Sequence, residues 1–150
     1  MKKKNEVMDE IKKKLRKYNA DCKKFDEEKE AKCQELDRDA FWEWAKSHDF
    51  PEFPVTDGQY KAWRLWNYSE TDEPNFDGFV RENEAKDFIG TLRAVGVETL
   101  TITNSGTSLM ENLHWFQDAG CKLVGLCEVA PTDAWELKHN GMRKAIRIAL

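Results

Sequence analysis

Hydrophobic positions change their period along this chain, and each change predicts a different element. Met8, Ile11, Leu15, Tyr18, Cys22 and Phe25 recur in alternating steps of three and four, the spacing of a heptad seam. Lys29 and Lys32 fall where seam residues belong, and the pattern resumes out of phase at Cys33, Leu36 and Ala40. Residues 5–47 therefore read as one long helix or two in tandem, with no Pro or Gly before Pro51. Such an arm either packs on the body, packs on a second copy, or stays solvated, because an isolated helix gains little without tertiary contacts.

A second unit starts near Asp39, where Phe41, Trp42, Trp44 and Ala45 make an aromatic helix end. Pro51 and Pro54 then force the residues before them into extended conformations. Thr56-Asp57-Gly58 is a turn signal. Residues 59–68 fit either a strand or a short helix that gathers Tyr60, Trp63 and Trp66; a short helix running into an extended segment is the expectation. Residues 69–79 read as an acidic loop with Pro74 and Gly78.

From Glu84 to Val95 the apolar residues Ala85, Phe88, Ile89, Leu92 and Val95 share one helical face, closed by Gly96. Residues 97–103 interleave Val97, Leu100 and Ile102 with threonines and predict a strand. A turn at 104–107 leads into a helix patterned by Leu109, Met110, Leu113, His114 and Phe116, which stops at Gly120. The nearly continuous apolar run 122–129 predicts a buried strand ended by Pro131. Asn140-Gly141 marks a return turn, and Ile146, Ile148 and Leu150 alternate in a last strand. The expected fold class is α/β (α+β). A long charged N-terminal helix (residues 1–38) precedes a compact domain (residues 39–150). That domain has a three- or four-stranded mixed sheet, a right-handed βαβ unit at 97–129 and a final antiparallel strand.

Charge changes the picture in one respect. Residues 1–38 carry 13 Lys and Arg against 10 Asp and Glu, whereas the remaining 112 residues carry 11 against 18. An acidic body disfavours direct binding to duplex DNA, which needs cations against phosphates, and suits a partner with a basic surface. The start of the chain lacks the apolar run of a signal peptide, and no stretch approaches the length of a membrane span. A cytoplasmic location without a membrane partner is the expectation.

Cys22, Cys33, Cys121 and Cys127 show no CxxC pair, and His48, His114 and His139 are scattered, so the cysteines read as small buried hydrophobes. Neither GxGxxG nor the P-loop pattern occurs. Neither a cofactor nor a metal is expected. Asp57, Glu70, Asp72, Glu73 and Asp77 match no EF-hand loop and read as solvated surface, or as a mimic of phosphate charge. Two stretches remain as candidate sites. The turn Asn104, Ser105, Thr107, with Ser105 or Thr107 as helix cap and Glu111 and His114 beyond, lies where open α/β sheets bind ligands. Trp63, Arg64, Trp66 and Tyr68, followed by Glu70, Asp72, Glu73 and Asp77, combine binding-hot-spot residue types with acidity. They form either a packed minicore or an exposed partner surface.

The stretch 60–75, Tyr-Lys-Ala-Trp-Arg-Leu-Trp-Asn-Tyr-Ser-Glu-Thr-Asp-Glu-Pro-Asn, resembles small proteins carried by plasmids and integrative elements of Gram-positive gut bacteria. So do Leu109-Met110-Glu111-Asn112-Leu113-His114 and Gly120 to Cys127. The resemblance spans roughly residues 40–150 and implies a context, accessory genes that inhibit host defences or regulate transfer, and no site residue. The leading expectation is a non-enzymatic protein-binding module, an inhibitor of a host nuclease defence system of CRISPR type. Alternatives are a small enzyme or ligand-binding protein using the 103–108 turn, and a homo-oligomer assembled through residues 5–40.

Overall fold

The structure, a computed structural model, describes residues 5–104 and 106–150. Among these residues the chain forms an α+β fold with six helices and four strands. The described residues divide into two compact units: Asp9–Val55, and residues 5–8 together with Thr56–Leu150. The division falls at Val55/Thr56 and again at Met8/Asp9, inside the first helix.

The tandem reading of residues 5–47 holds: α1 spans Glu6–Glu35 and α2 spans Arg38–Lys46. The break is local, because Asp37 caps α2 by accepting from the Ala40 N–H at 2.9 Å. Within Asp9–Val55 the later seam residues meet rings of the same unit. Tyr18 packs edge-on against Phe53 at 5.2 Å between centroids, and Phe25 against Phe50 at 5.3 Å and Trp44 at 6.3 Å. The heptad stripe is thus partnered in cis over this stretch.

In the larger unit α3 (Asp57–Tyr68) opens with a reciprocal capping box between Thr56 and Gln59. Residues 59–68 are helical because this cap and the spacing of Ala62, Leu65 and Trp66 agree. The next helix, α4 (Glu82–Ala94), buries Ala85, Phe88, Ile89 and Leu92 as its pattern predicts. The two helices approach closely at Gly58, where an added Cβ would run into the Glu84 carbonyl oxygen. Lys61 donates to the buried Glu84 carboxylate at 2.6 Å and to the Phe79 carbonyl at 2.8 Å. Burial works to raise the Glu84 pKa, but the Arg81 N–H and the Lys61 ammonium outweigh it and hold it below the usual range.

The sheet has strand order β1-β2-β4-β3, with β1 at Asn75–Phe76, β2 at Thr99–Ile102, β3 at Lys122–Val129 and β4 at Arg143–Ala149. β1 is parallel to β2, and β4 lies antiparallel between β2 and β3. With α5 at Thr107–Asp118, β2, α5 and β3 form the expected βαβ unit in split form: the two strands run the same way with the last strand inserted between them. Residues 69–79 are not wholly a loop, since they contain β1. Between β3 and β4 stands a further helix, α6 (Ala134–Asn140), where only a turn was expected; Asp133 caps it by accepting from the Trp135 N–H at 2.8 Å.

The core sits on one face of the sheet, where Leu100, Ile102 and Ile148 meet Phe76, Phe88, Ile89, Leu92 and Phe116. Phe88 and Phe116 stack at 5.8 Å between centroids. Buried Asn112 fastens the loop before α4: its Oδ1 accepts from the Val80 N–H at 3.0 Å and its Nδ2 donates to the Gly78 carbonyl at 2.9 Å. The expectation that 122–129 is a buried strand is corrected. β3 is an edge strand whose Leu123, Val124 and Leu126 are exposed by 68%, 58% and 88%. The cysteine reading is corrected in part: Cys121 is buried, Cys22 and Cys127 are half-buried, and Cys33 is exposed.

Candidate protein-interaction surfaces

The aromatic and acidic stretch singled out in the sequence divides by depth. Trp66 packs against the core, while half-buried Trp63 stacks on Tyr60 at 6.1 Å. These two indoles are therefore mainly structural. Arg64 is exposed, its guanidinium 5.9 Å from the Tyr60 ring centre, and Tyr68 at the end of α3 is 75% exposed. Glu70 and Asp72, in the turn that follows, are exposed as well.

Glu73 is half-buried and paired, and Asp77, although exposed, is bonded to the sheet. Glu73 receives a two-pronged bond from Arg147 of β4, at 3.0 Å from Nε and 2.9 Å from a terminal nitrogen, and a further one from Thr99 Oγ1. The Arg147 guanidinium is the main reason its carboxyl lies below the usual carboxylate range; burial opposes this, and the Thr99 hydroxyl adds to it. Asp77 accepts from Thr103 Oγ1 at 3.1 Å and lies 3.6 Å from Arg143, which is itself clamped by Glu136 of α6. Together with Asn75, which accepts from Thr101 Oγ1 and donates to Thr103 Oγ1, these groups fasten residues 73–77 to the sheet face opposite the core. The turn 69–72 is consequently held at its C-terminal end by paired, directional bonds. Asp57 is the first residue of α3, where a negative charge suits the helix dipole.

The 103–108 turn is occupied by its own fold. Asn104 Nδ2 donates to the Gly78 carbonyl at 3.0 Å and to Ser108 Oγ at 2.7 Å. The N-cap of α5 is Gly106, at φ +91° and without a side-chain cap, so Thr107 is the first helical residue rather than the cap. Ser105 lies outside the described residues. Glu111 and His114 are both exposed on α5. Burial pushes the Cys121 thiol pKa up, the opposite of an activated nucleophile. Among the described residues no group of three or more His, Cys, Asp or Glu is placed to hold a metal ion, and no helix is long and apolar enough to cross a membrane.

A surface that sequence reasoning missed lies along β3. Leu123 and Leu126 register opposite Ile148 and Ile146 of β4, so they point to the core side of the sheet. The helices do not cover them there. A groove of about 570 Å³ runs beside Leu123, lined also by Met110, Leu113, His114, Phe116 and Cys121. Met110 is 59% exposed at its rim. The only signal in the sequence is that the run 122–129 is apolar and ends the βαβ crossover, which does not distinguish a covered strand from an open one.

A family model described as Domain of unknown function (DUF7698) matches residues 58–150. The chain belongs to this family. The DUF7698 span begins at Gly58, where α3 packs closely on α4, and takes in every later element, both candidate surfaces among them. Asp9–Val55 lies outside it. No curated protein and no solved structure matches the chain.

Proposed function

We propose that this protein is a non-enzymatic protein-binding module and that its foreign partner meets the end of α3 and the turn after it. One observation carries the reading: Tyr68, three-quarters exposed, is followed by exposed Glu70 and Asp72 on a turn anchored through Glu73. An exposed tyrosine is a large anchor that loses little entropy on binding, and hot spots favour Tyr and Arg, which Arg64 also supplies. The neighbouring carboxylates complement a basic patch and speed encounter with it. The narrower form of the proposal is an inhibitor of a host nuclease defence, which presents such a patch to nucleic acid, encoded on mobile DNA.

The experiment is capture from host extract in moderate salt with the tagged chain, followed by affinity measurement against the recovered partner. Tyr68→Ala is expected to weaken binding by tenfold or more, on the order of 1.4 kcal/mol. Glu70→Lys with Asp72→Lys should lower the association rate and flatten its salt dependence. Affinity unchanged in both variants would overturn the proposal.

A further inference from the structure

We infer that the first half of α1 is a contact surface for duplex DNA, in which two rows of cations bind the phosphates on either side of the major groove without reading sequence. Residues 12–24 hold seven Lys and Arg against a single Asp. At about 100° per residue, Lys12, Arg16 and Lys23 fall in one row along the helix. Lys13, Lys17 and Lys24 fall in a second row, about 100° round from the first, and Ala20 stands between the two. All six cations are exposed, and among the described residues none of them is in an ion pair. Acids bound the stripe: Asp9 and Glu10 before it, Glu27 and Glu28 after it, and Asp21 beside the second row. The stripe lies within Asp9–Val55, outside the residues matched by the family, and the inference does not depend on the α3 surface.

The spacing of the charges, and what this face lacks, choose the occupant. Lys12 with Arg16, and Lys13 with Lys17, are like charges four residues apart, which repel along a helix until an anion lies against both. The stripe runs about 18 Å, and duplex DNA offers one phosphate charge per about 1.7 Å of its axis. A helix about 10–12 Å across fits the major groove, about 12 Å wide, so each row faces one of the two strands. The opposite side of α1 is engaged by Phe53, Phe50 and Trp44 of the same unit. A helix lying on a membrane surface needs that apolar side free to bury. No aromatic side chain stands on the stripe, whereas single strands and protein hot spots are both held by aromatics. The acidity that disfavours duplex binding belongs to residues 39–150, so the contact is confined to α1.

The test is fluorescence anisotropy of the full chain against a labelled duplex of about 20 base pairs and arbitrary sequence, from about 50 to 200 mM salt. The wild type is expected to bind with a Kd of about 1–100 μM, and log affinity should fall with log salt at a slope of about −5, as six phosphate contacts require. Arg16→Glu and Lys17→Glu should each weaken binding by about tenfold at an unchanged melting temperature. Lys23→Gln with Lys24→Gln should reduce the slope by about two. Lys29→Glu, a reversal on the seam side of the same helix, should leave affinity unchanged, as should Tyr68→Ala on the separate α3 surface. No binding at about 50 mM salt, or a loss with Lys29→Glu equal to that with Lys17→Glu, would overturn the inference. Tighter binding to a single strand of the same length would overturn the duplex as the ligand, and equal binding to phosphatidylserine vesicles would overturn nucleic acid as its class.

Discussion

Helix α4 and strand β3 are apolar segments of the same unit with opposite fates. Phe88, Ile89 and Leu92 of α4 are wholly buried, while Leu123 and Leu126 of β3 are among the most exposed large side chains described. The difference lies in position. α4 packs on the sheet at β2 and β4, whereas β3 lies one strand farther out, beyond the reach of the helix layer. An apolar segment thus drives folding only where another layer meets it; elsewhere it is surface available for association.

Substitutions can break that contrast, and the largest effect belongs to the core. Phe88→Ala is expected to destabilise by roughly 3–5 kcal/mol, since it empties the stack between Phe76 and Phe116, read as a fall in the denaturation midpoint. Asn112→Ala leaves the Val80 N–H and one bond to the Gly78 carbonyl unmade, for about 1–3 kcal/mol. Gly58→Ala must push α3 away from the Glu84 carbonyl and should cost a similar amount, about 1–3 kcal/mol. A shorter distance between helices after that change, seen by crystallography, would contradict the reading of Gly58.

The polar face of the sheet gives a smaller effect with a definite sign. The folded-state pKa of Glu73 is depressed, so its contribution is present above the unfolded carboxylate pKa and is lost as pH falls through the folded value. Both partners are about a third or more exposed, which limits the pair to roughly 1 kcal/mol or less. Glu73→Gln should therefore be slightly less stable than wild type at pH 7, and the two should converge in acid. At the small end of the scale, Leu126→Ser at low protein concentration should change stability by no more than about 0.5 kcal/mol, as for other open surface positions.

Helix periods and caps were legible in the sequence because both are local. The apolar face of α4 and the strand 122–129 are where their patterns place them. What escaped depends on pairing across the chain. Asn75–Phe76 is a strand only because β2 lies beside it, and two residues carry no period. Helix α6 is short, begins at the Asp133 cap and was hidden by the breakers Pro131 and Gly141. Glu73 looked like a solvated acid because its partner, Arg147, is 74 residues away. The exposure of β3 was the hardest to read, since a continuous apolar run has no polar side to show which face is open. Of the candidate partner residues, Arg64, Tyr68, Glu70, Asp72 and Asp77 stand at the surface, Asp77 with its carboxylate bonded to the fold, while Trp63, Trp66 and Glu73 stack, pack or pair within it.

The most direct measurement is amide hydrogen exchange on the wild-type chain, comparing α4 with β3. The amides of Phe88, Ile89 and Leu92 are expected to exchange only on global unfolding, while the amides of β3 that face away from β4 exchange fast, because the edge of the sheet leaves them open to water. Slow exchange at every amide of Leu123–Val129 would contradict the open edge given to this strand.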